Sequence, residues 1–156
     1  MTRSIIKFGM VSENRKARFN YSIADTIEAG ISLTGVEIKS IRYGLVSIVD
    51  GFVQRRGNNL FLAGVEIQKL PTAARIVNFD ERRARQLLLH RAQINRMIGK
   101  LAERGATIVP LKLYFTNRGK LKVLLGIGYG KKSQDKRETI KQREWNKSKA
   151  RILKGK

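Results

Sequence analysis

The C-terminal segment, residues 131–156, constrains the fold of this chain most, because it cannot take part in a packed core. It carries eleven Lys/Arg residues against three acidic residues, a local charge of +8. Its sizeable apolar residues, Ile140, Trp145, Ile152 and Leu153, are too few to bury a face. We expect such a segment to be disordered in the free protein and to order only against a polyanion. The folded domain should therefore precede residue 131.

The positive charge is not confined to that tail. The whole chain of 156 residues carries +21, so residues 1–130 still carry +13, and its 42% hydrophobic content suffices for one core. This excess favours phosphate backbones as partners. An anionic membrane surface is the competing interpretation. No segment approaches the roughly 20 apolar residues of a spanning helix, and none pairs a basic face with a broad apolar one.

The N-terminus lacks the long apolar stretch of a secretory signal, and the chain contains no cysteine. Disulfides and thiolate metal sites are therefore excluded, and we predict a cytoplasmic protein. Residues 1–13 show no sustained period and are predicted to be a loose leader.

Period-two patterns predict most of the following elements. Residues 17–23 alternate between apolar and polar, which is typical of a half-buried strand. A short helical turn is predicted at 24–29, followed by strands at 31–40, 45–54 and 59–69. The last two should pair through a turn at Arg56-Gly57-Asn58.

From residue 80 the apolar period changes to that of a helix, predicted over about 80–104 with Asp80 as its cap. Residues 107–116 and 119–130 then predict a hairpin that turns at 117–119, with Pro110 on an edge strand. We predict a mainly β fold with helices, in which residues 14–130 form a small antiparallel β-barrel with an inserted helix.

Signs of catalysis are sparse in this sequence. His90 is the only histidine, and no serine stands in a nucleophile-elbow context. The run from Gly126 to Ser133 resembles a phosphate-binding loop but has the wrong spacing, because Lys132 follows Gly130-Lys131. No pair of carboxylates suggests a metal cage. We therefore predict a protein without catalytic residues, metal or cofactor.

The basic residues carry more information. Alternation places Lys16 and Arg18 on the polar face of the first predicted strand and Lys120 and Lys122 on that of the last. If these strands are neighbours, the four charges form one patch that can position a phosphate backbone. The alternative is a scatter of solubilising charges. Trp145, the single tryptophan, either stacks on a base or packs back on the barrel.

Several ordered motifs resemble those of the small protein B family, the bacterial partner of transfer-messenger RNA (tmRNA). The resemblance extends from about residue 14 to the C-terminus. Its motifs are Asn14-Arg15-Lys16-Ala17-Arg18, Glu28-Ala29-Gly30-Ile31, Gly35-Val36-Glu37-Ile38-Lys39-Ser40, Leu87-Leu88-Leu89-His90, Val109-Pro110-Leu111-Lys112-Leu113-Tyr114, and Gly130-Lys131-Lys132 with Asp135-Lys136-Arg137.

This resemblance implies an oligonucleotide-binding (OB)-like barrel that binds the tRNA-like domain of tmRNA. It implies entry into the A site of a stalled ribosome, where the tail folds as a helix in the empty messenger channel beside the decoding centre and 16S ribosomal RNA. Elongation factor Tu and alanyl-tRNA synthetase would be indirect partners through the RNA. We expect a monomer. A structural ribosomal or ribosome-assembly protein is the alternative that composition alone leaves open.

Carried over position by position, the resemblance implies RNA contacts at Glu28 through hydrogen bonds, at Leu88 through apolar contact and at His90 through a hydrogen bond. With the cations above, the candidate set in the folded domain is Arg15, Lys16, Arg18, Phe19, Glu28, Leu88, His90, Lys120, Lys122, Lys131 and Lys132. The candidate ribosome-contacting positions of the tail are Asp135, Lys136, Arg137, Trp145, Ile152 and Leu153.

The chain departs from the family pattern at a few of its own positions. Phe19 stands where the family commonly has His, which keeps an aromatic plane but loses its hydrogen bonds, and His90 stands where some relatives have Asn. Further departures are at Leu45, Ser47, Glu81, Tyr129 and Gln134.

Overall fold

The structure is a computed structural model that describes residues 5–73, 78–131 and 133–154. Its strands are β1 Gly9–Glu13, β2 Tyr21–Ile31, β3 Val46–Ser47, β4 Phe52–Arg56, β5 Asn59–Ala63, β6 Glu66–Ile67, β7 Arg85–Leu88, β8 Ala106–Phe115 and β9 Leu121–Gly130. Its helices are α1 Arg15–Asn20, α2 Gly35–Arg42, α3 Arg91–Leu101 and α4 Ser133–Lys154, and Pro71–Ala73 form a 3-10 turn. None of the described helices is long and apolar enough to cross a membrane.

Seven strands form one antiparallel sheet in the order β1-β8-β9-β2-β7-β5-β4, and β3 pairs with β6 separately. The two predicted hairpins, β4–β5 and β8–β9, are confirmed. Gly57 and Gly119 take positive φ angles of 61° and 80° in their turns, a conformation that glycine adopts without steric cost. The mainly β architecture with helices is thus as predicted. The closed barrel is not observed, because β1 and β4 are separate edge strands among the described residues.

One face of the sheet is covered and forms the core. Helix α2 contributes Ile41 and helix α3 contributes Ile94 and Met97 to this core, where they meet the inward residues of the strands. A smaller cluster of Ala17, Val109 and Leu111 joins α1 to β8. On the opposite face this cluster covers the end of the sheet next to α1, and the part that holds Glu28, Leu88 and Lys122 stays accessible.

The strand predicted at 17–23 is wrong in its first half, because helix α1 occupies residues 15–20. The buried Asn14 side chain accepts a hydrogen bond from the backbone N–H of Ala17 at 3.1 Å and so caps the helix. Its amide nitrogen donates to the carbonyl of Pro110 at 3.0 Å. These contacts stabilise a short helix, although residues 17–20 within it also alternate between apolar and polar.

The predicted helical turn at 24–29 and strand at 31–40 are also wrong, since β2 runs through 21–31 and α2 follows. Helix α2 begins with a capping box in which Thr34 and Glu37 exchange side chain-to-backbone hydrogen bonds. This reciprocal cap satisfies two free N–H groups at the helix start. It outweighs the strand preference of the β-branched residues that follow.

The inserted helix is shorter than the predicted 80–104. Residues 85–88 are strand β7, and the helix begins only after His90. The Arg85 side chain, 1% exposed, donates from Nε to the Glu37 carboxylate at 2.6 Å and from Nη1 to the carbonyl of Val65 at 3.0 Å. Because this buried ion pair holds residue 85 between β2 and β5, Asp80 cannot begin a helix there.

Three further expectations change. The leader is shorter than 1–13, since residues 9–13 pair with β8 as strand β1. Pro110 is not on an edge strand, because β8 lies between β1 and β9; it sits where the β8–β9 register shifts. Residues 133–154 of the tail are helical in the structure. Disorder of the tail in the free protein stays a prediction.

Candidate nucleic-acid interface

The accessible face of the sheet carries a row of polar and apolar side chains from four strands. In the strand register, Tyr114 lies opposite Lys122, Lys122 lies opposite Gly30, and Gly30 lies opposite Leu88. Residues that are directly opposite share a face, and so do residues two apart on one strand, which brings Glu28 to the same face. Leu88 is 54% exposed although it follows the buried Leu87.

This row borders a groove of about 770 Å³ between the sheet and the start of α3. Glu28, Leu88, His90 and Lys122 all line it. His90 precedes the first turn of α3, and its N–H donates to the Gln93 side chain at 3.1 Å. Gly30 leaves the bottom of the groove free of a side chain, since a Cβ at this position would lie 3.3 Å from the Cβ of Leu88.

Glu28 is held by a tyrosine that is not among the residues predicted for the site. The Tyr114 hydroxyl donates to the Glu28 carboxylate. Burial of the Tyr114 ring and this carboxylate raise the pKa of Tyr114 to about 12, so the hydroxyl remains protonated and a donor. A carboxylate offers about four lone-pair sites, so Glu28 can still accept hydrogen bonds from a bound group.

At the other end of the groove, Arg96 of α3 forms an ion pair with Asp25 of β2. The N–H of Thr26, followed by the guanidinium of Arg96, keeps the pKa of Asp25 below its ordinary value. This pair ties α3 to the sheet beside the groove. The groove therefore combines acceptors, donors, cations and one exposed leucine, a set that suits bases, riboses and phosphates.

The predicted single patch of Lys16, Arg18, Lys120 and Lys122 is wrong. Strands β2 and β9 are indeed neighbours, but Lys16 and Arg18 are exposed on α1, beside the end of β9 at Gly130. Lys122 and the exposed Lys120 lie at its beginning. Lys122 and Gly130 are eight residues apart on β9, which at about 3.4 Å per residue is a separation of roughly 27 Å.

The second basic region is formed by α1 and the start of the tail. Arg15 is exposed, 3.8 Å from Glu13, while Phe19 is half-buried. The N–H of Lys131 donates to the carbonyl of Asn20 at 3.1 Å. The guanidinium of Arg143 in α4 lies 5.5 Å from the centre of the Phe19 ring, so helix α4 contacts α1.

The remaining tail candidates fall on α4 or outside the described part. Arg137, Trp145 and Ile152 are exposed, Trp145 by 65% and Ile152 by 69%. Lys132 lies outside the described residues. The side chains of Asp135, Lys136 and Leu153 also lie outside them, although all three positions are in the helix. Stacking of Trp145 on RNA stays a prediction.

Comparison with known proteins identifies a family. The family model described as SmpB protein matches residues 11–155. The chain belongs to the SmpB family. It is 48% identical over 147 residues to the SsrA-binding protein of Rhodopseudomonas palustris strain BisA53, covering 94% of this chain and 93% of that protein. The SsrA-binding protein of Methylobacterium nodulans is 49% identical, with the same coverage.

A solved structure extends the likeness to three dimensions. Its title is "tmRNA-SmpB: a journey to the center of the bacterial ribosome", and one of its chains matches with a TM-score of 0.67 and 41% identity. The match covers 86% of this chain and 94% of that one. The resemblance that the motifs indicated is therefore confirmed for the family. The role of each candidate residue stays a prediction.

Proposed function

We propose that this protein binds the tRNA-like domain of tmRNA in trans-translation, with the groove around Glu28, Leu88 and His90 as the contact. The observation that carries the proposal is the convergence of these three residues and Lys122 on one accessible face of the sheet. Family membership supports it, since the relatives are SsrA-binding proteins and the solved neighbour is a tmRNA–SmpB structure.

The tail supplies the second part of the proposal. Helix α4 presents Arg137, Trp145 and Ile152 to solvent. On a stalled ribosome it would lie in the empty messenger channel near the decoding centre, with its cations on 16S ribosomal RNA phosphates and Trp145 stacked on a base. The protein acts as a cytoplasmic monomer, and elongation factor Tu and alanyl-tRNA synthetase engage the RNA rather than this chain.

The first test is binding of the full-length protein to a transcript of the tRNA-like domain, with bulk tRNA as competitor at physiological salt. Glu28→Gln removes the charge but keeps the shape. A hydrogen bond to a charged group contributes about 1.5–3 kcal/mol, so the dissociation constant should rise roughly tenfold to a hundredfold. Equal affinity for both RNAs in the unaltered protein would contradict the proposed function.

Glu103→Gln is the matched control for that variant. The Glu103 carboxylate is also exposed and also accepts a hydrogen bond from a tyrosine, Tyr129, but it lies at the far end of β9. Its replacement should leave the affinity unchanged. If both variants weaken binding equally, Glu28 has no special role.

The second test separates the tail from the groove. A chain that ends after Lys132 should bind the transcript with most of its affinity, yet should fail to support tagging on ribosomes stalled without a messenger codon. Circular dichroism of the truncated chain verifies that the sheet is intact. Normal tagging by the truncated protein would refute the role proposed for α4.

A further inference from the structure

The accessible face of the sheet does not end at Leu88 but continues across β5 and β4. Phe61 of β5 lies opposite Gln86 of β7, and Gln54 of β4 lies opposite Phe61. Because alternate residues of a strand share a face, Gln86 places Phe61 and Gln54 on the same face as Leu88. Arg56, two residues beyond Gln54, belongs to this face as well.

Arg56 is held in a defined orientation there. Its guanidinium carbon lies 5.2 Å from the centre of the Phe61 ring. With the Gln54 amide oriented by the hydrogen-bond network, Nε and one terminal nitrogen of Arg56 donate to the amide oxygen at 2.6 and 2.8 Å. Three of the five N–H donors then remain for an external acceptor.

A second arginine fastens this hairpin to the groove. Nη1 of the exposed Arg91, the residue after His90, donates to the carbonyl of Asn58 at 2.8 Å. The β4–β5 turn is thereby tied to the start of α3. No carboxylate of the described residues forms an ion pair with Arg56 or Arg91. Their positive charges are therefore uncompensated on the accessible surface.

We propose that Arg56, oriented by Phe61 and Gln54, is a second contact for the sugar–phosphate backbone of the RNA that binds at the groove, with Arg91 between the two. The inference rests on the proposed function. A guanidinium fixed on an aromatic ring suits a phosphate, because its planar donors match the phosphate oxygens and little freedom is lost on binding. The distance also fits: two interstrand spacings from β7 to β4 are roughly 10 Å.

The occupant is RNA rather than an acidic protein segment because the surface continues a site that already combines an exposed leucine, a histidine and a lysine. One strand of RNA can follow the row from Lys122 past Leu88 to Arg56 without leaving the sheet. Gln54 and Phe61 act as positioning residues, since their role is to orient the Arg56 side chain.

The test compares two neighbouring arginines in the full-length protein. Arg56→Gln removes the proposed phosphate contact, whereas Arg55→Gln removes the same charge from the residue opposite the buried Leu60, on the other face of β4. The probe is a fluorescently labelled transcript of the tRNA-like domain, titrated at several salt concentrations. Arg56→Gln should raise the dissociation constant about tenfold and reduce the salt slope by roughly 0.7–0.9, the value for one lost phosphate contact. Arg55→Gln should change the dissociation constant less than threefold.

Arg56→Lys distinguishes an oriented contact from charge alone. Lysine keeps the charge but loses the planar donors, so the affinity should fall to a value between those of the unaltered protein and Arg56→Gln. If Arg56→Gln and Arg55→Gln weaken binding equally, the inference is wrong. That result leaves the proposed function intact as long as Glu28→Gln still weakens binding. If only binding to an acidic peptide responds to Arg56→Gln, RNA is not the occupant and the inference is again wrong.

Discussion

Replacement of Glu37 by glutamine tests the buried ion pair that determines where β7 lies. The Glu37 carboxylate is 2% exposed and accepts hydrogen bonds from the N–H of Thr34 at 2.9 Å, from Nε of Arg85 at 2.6 Å and from Arg83. Arg83 is 41% exposed at its side chain and can regain water, whereas Arg85 is 1% exposed and cannot. The variant therefore leaves one buried cation without a counter-charge.

Breaking one partner of a buried ion pair costs about 3–5 kcal/mol. Arg85 keeps its carbonyl partners, so Glu37→Gln should lie near the lower limit, about 3 kcal/mol. In a chain of this length that loss lowers the melting temperature by roughly 6–12 °C. Urea unfolding followed by circular dichroism measures the free energy, and Glu66→Gln serves as the control. Glu66 pairs with Arg82 at 3.4 Å on the surface, and such pairs contribute about 0–1 kcal/mol.

The pH dependence of the same variant gives an independent measurement. Burial raises the pKa of Glu37, but the N–H of Thr34 and the two arginines outweigh it, so the pKa lies below its ordinary value of 4.5. A lowered carboxyl pKa stabilises the folded state above the unfolded pKa, and the contribution is lost as the pH falls through the folded pKa. The difference between the unaltered protein and Glu37→Gln should therefore shrink below about pH 4.5. Equal losses for Glu37→Gln and Glu66→Gln at neutral pH, or a Glu37→Gln loss that does not shrink below about pH 4.5, would refute the reasoning.

Three other predictions follow from individual contacts. Absorbance titration should show one tyrosine, Tyr114, ionising at about pH 12, and Glu28→Gln should lower that value only in part, because burial is the larger cause. Asn14→Ala should cost about 1–3 kcal/mol in urea unfolding, since a helix cap and buried carbonyl contacts are lost together. Gly64→Ala should cost about 2–4 kcal/mol, because φ is +73° and the new Cβ would lie 2.2 Å from a backbone oxygen. Gly99 lies on α3 with open space around it, so Gly99→Ala should stabilise the folded protein by about 0.5–1 kcal/mol.

The elements that the sequence predicted correctly are those whose determinants are local. Both hairpins depend on a few turn residues, with glycine where φ is positive, flanked by alternating strands. The strand predicted where helix α1 lies was wrong because the determinant of this helix is not local. Its residues 17–20 also fit a period of two, and the contact that decides for the helix joins Asn14 to Pro110, 96 residues away. No window of the sequence contains both residues.

The same distinction applies to the site. Glu28, Leu88 and His90 came from a resemblance to a family, since nothing in their local pattern marks them as neighbours. Tyr114 could have been found, because it alternates with inward residues on the predicted last hairpin. Arg56 could not have been found, because its position on the face of Leu88 follows from the pairing of β5 with β7, and the apolar pattern after residue 80 predicts a helix where β7 lies.

The separation of the two basic regions has a mechanical consequence. Strands β2 and β9 pair over nearly their whole length, and their inward residues Ala29, Val123 and Leu125 are buried. A pair of packed strands bends little, so it acts as a spacer of roughly 27 Å between Lys122 and the end of β9 beside helix α1. Under the proposed function, RNA bound around Lys122 and Leu88 leaves α1 and the start of α4 uncovered at the other end of β9. One small domain can thus hold its RNA while its tail contacts a second partner, and substitutions at the two ends should act independently.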